Sequence, residues 1–515
     1  MSAHPRRGPG WVLRRHLGAW RRARRCAVPA RMVEEATELR LAGDWARACA
    51  AARFDVEPSL VRDAHQAGIA AAVLDDLQHL APDLLRWHLP RLLGGRAELA
   101  PNCEVVLADY RERTGSDRLV LAAYTPGVTA PQVPRIALRR RTTPVWPWAI
   151  RMPREYWDVR RTDDLRLRCG DARRTAFFHP DGRRRTAAEL PTAPPPAYDA
   201  AARLEWATMR WDAGDFAAAL ATYELVAQDP EPEWIDLPLN PPMVADALAR
   251  ADAPTLDVVN RPAWPRVEAV LDGLTPVLRP RLPGPADRPV LDDERWQRLP
   301  DWDLLRLGMI EPAELHPLVH RALFPAAGPV AMAPFRVDVT APARVRCGAD
   351  WHVVRVVDGR LRVPHSDDDL RREAVLSAFG ARSSGCAAVW AAWYSGHRVP
   401  RLLRELRQHV FDVAFHGDAA GVLALLDAGF DPKARINGGS TLLHYLSHLD
   451  HEELLPRLLA AGLDPTTVDA SGLPPIGVAM AWRRERLIDD LVAAETAMTA
   501  RAPRATMNRR PSEES

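Results

Sequence analysis

Apolar positions recur at helical spacing between residues 34 and 93, at Leu39, Trp45 and Ala48, then across Ala70 to Leu74 and Leu84 to Leu92. Pro58 and Pro82 interrupt this run, which predicts several short helices rather than one long one. Cys103 to Ala108 and Leu119 to Tyr124 are short apolar runs on either side of Thr114-Gly115-Ser116-Asp117, the pattern of a strand pair. Helical periodicity returns over 199–228, where Gly214-Asp215 separates two alanine-rich arms, and again from Asp301 to Phe324. Trp351 to Val357 and Arg360 to Val363 flank Asp358-Gly359, and Asp-Gly between apolar alternating runs is a favoured two-residue hairpin turn. Ser366 followed by three aspartates predicts an N-cap and acidic first turn for a helix running to Phe379.

Toward the C-terminus the text repeats itself. Leu425-Leu426-Asp-Ala-Gly429-Phe-Asp431-Pro432 recurs as Leu458-Leu459-Ala-Ala-Gly462-Leu-Asp464-Pro465, and Gly439 recurs as Gly472, each displaced by 33 residues. Gly429 and Gly462 follow apolar helical runs, where a left-handed residue ends a helix, and Pro432 and Pro465 prevent its continuation. The period and the segment Gly439-Ser440-Thr441-Leu442-Leu443-His444 resemble the ankyrin repeat, a turn followed by two antiparallel helices, over about residues 405–495. Leu442 stands where that family has proline, and the last copy, Gly472 to Gly477, lacks both threonine and histidine. The chain as a whole resembles bacterial proteins that end in ankyrin repeats, a likeness that carries no function with it. About two and a half units are visible and stacked repeats usually need three, so Val399 to Gln408 and the helix around Val389 to Tyr394 are expected to cap the stack. The resemblance implies protein recognition through turn tips and the outward side of the first helix: Arg435, Asn437, Ser440, His448, Leu449, Val468, Leu473 and Trp482. Ala213 to Tyr223 is similar to the turn and second helix of a tetratricopeptide repeat and is echoed by Ala42 to Ala50, but the copies are not tandem and read as convergent helical hairpins.

The fold expected from these patterns is mainly α and multidomain. Its N-terminal and central regions would be α+β with small β-hairpins, and its C-terminus an α-solenoid of ankyrin repeats. The expected segments are a basic extension over 1–31 that is disordered or not translated, a helical domain with a strand pair over 32–125, and a basic tryptophan-rich α+β region over 126–190. A proline-rich linker over 191–198 follows, then a proline-interrupted helical region over 199–330, a hairpin with helices over 331–400, ankyrin repeats over 401–497 and a disordered tail over 498–515.

Composition narrows the function. Of 515 residues 47% are hydrophobic and 26% charged, so the chain is globular rather than disordered. The longest uncharged stretch, Leu119 to Pro134, contains three prolines and falls short of a membrane-spanning helix. Lys433 is the only lysine, which looks like the codon pressure of a GC-rich bacterial genome and weakens any argument from arginine abundance. The first 31 residues hold nine arginines and no acid, with no uninterrupted apolar core of the kind a signal peptide needs. Met32 opens an ordinary helix and is read as the translation start. Six dispersed cysteines without a C-x-x-C pair form no readable zinc or disulfide pattern, which suits a reducing cytoplasm.

No catalytic motif emerges, and the expectation is a non-enzymatic scaffold or adaptor, without cofactor or metal, that binds a protein partner through its C-terminal repeats. His444, His448 and His451 have metal-like spacing, but the first belongs to the repeat itself; Glu314, His316 and His320 read as a solvated helical face. Ser383-Ser384-Gly385-Cys386 near His397 lacks a nucleophile elbow, and Cys386 reads as core. The main alternative is nucleic-acid association through residues 130–186, where fifteen arginines face six acids among Trp146, Trp148, Tyr156, Trp157, Phe177 and Phe178. The other alternative is an unrecognised N-terminal catalytic domain that the repeats target.

Overall fold

Proline and glycine punctuation cuts the N-terminal segment into six helices, α1 (Trp11–Cys26), α2 (Ala30–Leu41), α3 (Trp45–Ala51), α4 (Leu60–Gln66), α5 (Ala70–His79) and α6 (Pro82–His88). The computed structural model describes residues 11–111, 118–141, 149–259, 264–271, 273, 275–281, 289–291, 295–379, 384–436 and 438–501. The chain divides into two compact units, Met1–Phe335 and Arg336–Ser515.

The first unit is mixed α/β. One sheet takes β1 (Asp55–Val56), β2 (Glu104–Arg111), β3 (Arg118–Tyr124), β4 (Arg135–Arg141) and β5 (Ala149–Arg151) in the order β1-β4-β3-β2-β5. After α7 (Leu165–Arg168), α8 (Ala200–Asp212) and α9 (Phe216–Ala221) comes a second sheet. It is built from β6 (Val226–Ala227) and, beyond α10 (Pro241–Leu248), from β7 (Thr255–Val259), β8 (Val267–Val270) and β9 (Val277–Pro280), ordered β6-β9-β8-β7. Helices α11 (Pro300–Arg306) and α12 (Pro317–Leu323) close the unit. The main core runs from Leu13 through Val105, Trp157 and Trp234 to Met332, with smaller clusters at Ala19, Ala23 and Ala97 and at Val106, Val120 and Ala122.

The two sheets are built alike. Each is an antiparallel meander whose last strand pairs in parallel with a two-residue strand that follows a helical hairpin. The hairpins match at an offset of 171 residues: Asp44 and Asp215 cap α3 and α9, Arg53 and Glu224 both have φ of 58°, and Asp55 and Val226 open the edge strands. A register shift marks the first meander strand of both copies, at Val106/Ala108 and Asp257/Val259. The backbone of Trp157 accepts from Ala81 as that of Trp296 accepts from Asn240, and both indoles are fully buried. The echo between Ala42–Ala50 and Ala213–Tyr223 thus belongs to an arrangement of hairpin and meander that occurs twice in the unit.

Twelve strands in three sheets among the described residues overturn the mainly α, solenoid-ended architecture; the fold is mixed α/β. Segments 32–125 and 126–190 share the first sheet, because β4 pairs along the whole of β3. Proline-rich 253–289 holds β7, β8 and β9; proline ends β9 and breaks the loops between strands, which hid the alternation. The expected basic extension folds as α1, with Leu13 and Leu17 in the core. Its Arg24 is 2% exposed and clamps Asp301 through Nε and Nη2 at 2.7 and 2.8 Å, while Trp87 Nε1 donates to the same carboxylate at 3.1 Å. His316 is not on a solvated face: it is fully buried, 3.0 Å from the equally buried Asp83.

The second unit opens with β10 (Ala343–Cys347), β11 (Asp350–Val357) and β12 (Arg360–Arg362), an antiparallel sheet whose Asp358-Gly359 turn has φ of 50° and 70°, as a type I′ hairpin requires. Helices α13 (Asp367–Ala378), α14 (Gly385–Ser395), α15 (Arg401–Phe415) and α16 (Ala419–Asp427) follow. A 3-10 helix, Leu442–His448, precedes α17 (Leu454–Ala460), α18 (Pro475–Ala481) and α19 (Glu485–Arg501). Gly429 and Gly462 take φ of 92° and 82° at the ends of α16 and α17.

Helix α14 contacts the segment 430–435. Trp393 of α14 packs against Phe430 with centroids 5.9 Å apart and the rings tilted, and its carbonyl accepts from Arg435 N. Asp431, 1% exposed, accepts from Leu361 N at 3.1 Å, Trp393 Nε1 at 3.1 Å, Tyr394 Oη at 2.7 Å and Lys433 N at 3.0 Å. One carboxylate thus joins the sheet, α14 and the first repeat turn.

Candidate functional site

Two places in the second unit and one in the first bring chemistry together. Turn chemistry builds the first of them. Thr441 N donates to His444 Nδ1 at 3.1 Å, and His444 Nε2 lies 3.2 Å from Leu473 O, so the repeat histidine ties its own helix start to the next turn. That turn is held from within: Asp469 Oδ1 accepts from Ser471 N at 2.9 Å, Ser471 Oγ at 2.6 Å and Leu473 N at 3.1 Å. Ala470 N donates to Gly438 O, linking successive turn tips. Flanking this rigid tip, Val468 and Leu473 are 52% and 45% exposed.

The eight residues singled out for recognition fare unequally. Val468 and Leu473 are exposed, and Arg435, Ser440 and Trp482 are half-buried. His448 and Leu449 are buried: His448 packs against Phe415 at 4.9 Å and Tyr445 at 6.0 Å, because a tighter 3-10 turn rotates it inward. Asn437 lies outside the described residues. His444, His448 and His451 do not converge; His451 bonds Asp490 at 2.9 Å.

The second place was not anticipated. Cys347 ends β10, His352 lies in β11, His365 follows β12, and Cys386 sits in the first turn of α14. Their donor atoms all fall within 4.8 Å of one another. Cys347 Sγ is 3.5 Å from His365 Nε2, Cys386 Sγ is 3.5 Å from His352 Nδ1, and the two imidazole nitrogens are 3.1 Å apart. Burial and the neighbouring Cys347 push the Cys386 thiol up to about 11. A Cβ on Gly385, whose φ is +60°, would lie 2.7 Å from Cys347 Sγ, so only glycine lets α14 approach the strand this closely. The spacing C-x4-H-x12-H-x20-C contains neither a C-x-x-C nor an H-x3-H pair, which is why it escapes a search for familiar patterns. The visible signal was limited to single cysteines at the end of one strand and the start of one helix.

The third is a cavity of about 390 Å³ in the first unit, lined by aromatic side chains and by His16, His88 and Arg298. Burial, then Arg15, lowers His16 to about 4, and burial holds His88 well below its usual value.

Among its described residues, the basic region keeps its aromatic side chains inside. Tyr156, Trp157, Phe177 and Phe178 are buried, and Trp146 and Trp148 lie outside the described residues. Its arginines meet acids: Arg154 with Asp76 at 2.7 Å, Arg160 with Asp158 at 2.8 Å, Arg174 and Arg185 with Glu205 at 2.5 and 2.6 Å. No helix among the described residues is long and apolar enough to cross a membrane. No protein-family model, curated protein or solved structure matches the chain.

Proposed function

We propose that the chain is a non-enzymatic scaffold that recognises another protein through the turn tips of an ankyrin-like repeat at its C-terminus, in a reducing cytoplasm. The observation that carries this reading is the self-bonded turn Asp469–Leu473, which holds exposed Val468 and Leu473 in place. Apolar side chains kept in water on a rigid turn favour association, since little entropy remains to be lost on binding. The acid-paired arginines and buried aromatics of 130–186 count against the nucleic-acid alternative.

The test is affinity capture of the tagged full chain from native lysate at low and high salt, beside the Val468→Asp/Leu473→Asp variant and a Trp482→Ala variant. A discrete protein that survives high salt and disappears with the double variant is expected. Nucleic acid that washes off with salt, indifferent to these substitutions, would move the function to the basic region.

A further inference from the structure

We propose that Cys347, His352, His365 and Cys386 bind one zinc ion in a closed, structural Cys2His2 site. The inference goes beyond the recognition reading and does not depend on it. Zinc–sulfur bonds of about 2.3 Å and zinc–nitrogen bonds of about 2.05 Å at the tetrahedral angle put sulfur about 3.5 Å from nitrogen and two nitrogens about 3.4 Å apart. The observed edges are 3.5 Å for both sulfur–nitrogen pairs and 3.1 Å between nitrogens. These are three separate edges of one tetrahedron, with the remaining pairs inside 4.8 Å.

The chemistry agrees with the geometry. Two thiolates and two imidazoles are the ligand set of structural zinc, and with all four positions taken by protein no place is left for substrate water. A hydrogen-bonded chain would need only contacts between neighbours; here every pair among the four donor atoms lies within 4.8 Å. Three of the four side chains are half-buried, which leaves an entry path. The ligands come from β10, β11, the segment after β12 and α14, so the ion would fasten the small sheet to α14. Helix α14 carries Trp393 and Tyr394 onto Asp431, so the metal would secure the element that caps the repeats.

The test uses the full chain, purified under reducing conditions with a tag that contains no histidine. Elemental analysis is expected to find one zinc per chain, falling at least about tenfold in Cys347→Ser, Cys386→Ser and His365→Ala and unchanged in Cys103→Ser. Reconstitution of the wild-type chain with cobalt(II) is expected to give tetrahedral ligand-field bands with thiolate-to-cobalt charge transfer, a readout that holds even if the ligand variants fold poorly. Three results would overturn the proposal: no zinc after reconstitution of the reduced chain, a six-coordinate cobalt spectrum without charge transfer, or a Cys347–Cys386 disulfide in protein from a reducing host.

Discussion

Removing the Asp431 carboxylate is expected to loosen the join between the hairpin, α14 and the repeats. Asp431→Ala takes the acceptor from four donors, of which the Tyr394 hydroxyl can turn to water and the Lys433 amide belongs to an exposed residue. Trp393 Nε1 and Leu361 N cannot, because these residues are 0% and 4% exposed. Each stranded buried donor costs about 1–3 kcal/mol, so the pair should cost about 3 kcal/mol with partial relaxation. At about 1.4 kcal/mol per decade this is a rise of roughly a hundredfold in the opening equilibrium of the join. Hydrogen exchange read by mass spectrometry localises the effect: peptides spanning Leu361 and Trp393 should exchange roughly a hundredfold faster, and peptides of α2 and α3 should not change. Exchange at Leu361 and Trp393 within about threefold of wild type would refute the role given to Asp431.

Four further outcomes are expected. Arg24→Met strands Asp301 in the core, so urea unfolding of the first unit should show a loss of about 3–5 kcal/mol, partly recovered in Arg24→Met/Asp301→Leu. Gly396→Ala places a Cβ 2.1 Å from Ile436 O at φ +84°, so thermal unfolding should show a lower midpoint for the second unit than Gly462→Ala, where the flexible end of Lys433 can move aside. His16, lowered to about 4 when folded, is buried neutral; the stability it confers is complete above its ordinary value of 6.5 and is lost as pH falls toward 4. Urea titrations at pH 7.5 and 5 should therefore show about 2 kcal/mol of acid destabilisation that His16→Gln does not share. Gly385→Ala should displace Cys347 and abolish zinc retention in elemental analysis while leaving the first unit's unfolding unchanged.

Local chemistry was legible wherever neighbours in sequence are neighbours in space. Asp358-Gly359 announced β11 and β12, Ser366 announced α13, and the 33-residue displacement located the glycines that end α16 and α17. What was missed depends on distant partners. The arginines of α1 read as a solvated arm because Asp301, which neutralises Arg24, lies 277 residues away. Strands β7, β8 and β9 are short and bordered by prolines, so none shows a sustained period of two. The repeated arrangement was legible only in its helical hairpins, since the two meanders share pairing rather than residue patterns. The Cys/His cluster is the extreme case: each of its four residues comes from a different element, and the sheet's register pairs His352 with Val345, two residues before Cys347 on the same face.

The proposed function is tested most directly by placing a photo-crosslinking residue at Leu473 or Val468 in the full chain, with Leu41 of the first unit, 75% exposed, as control. On illumination in native cells, both repeat-turn positions are expected to capture the same discrete protein, and Leu41 is expected to capture none of it. Capture of nucleic acid, or an identical set of products from all three positions, would contradict recognition through the repeat turns.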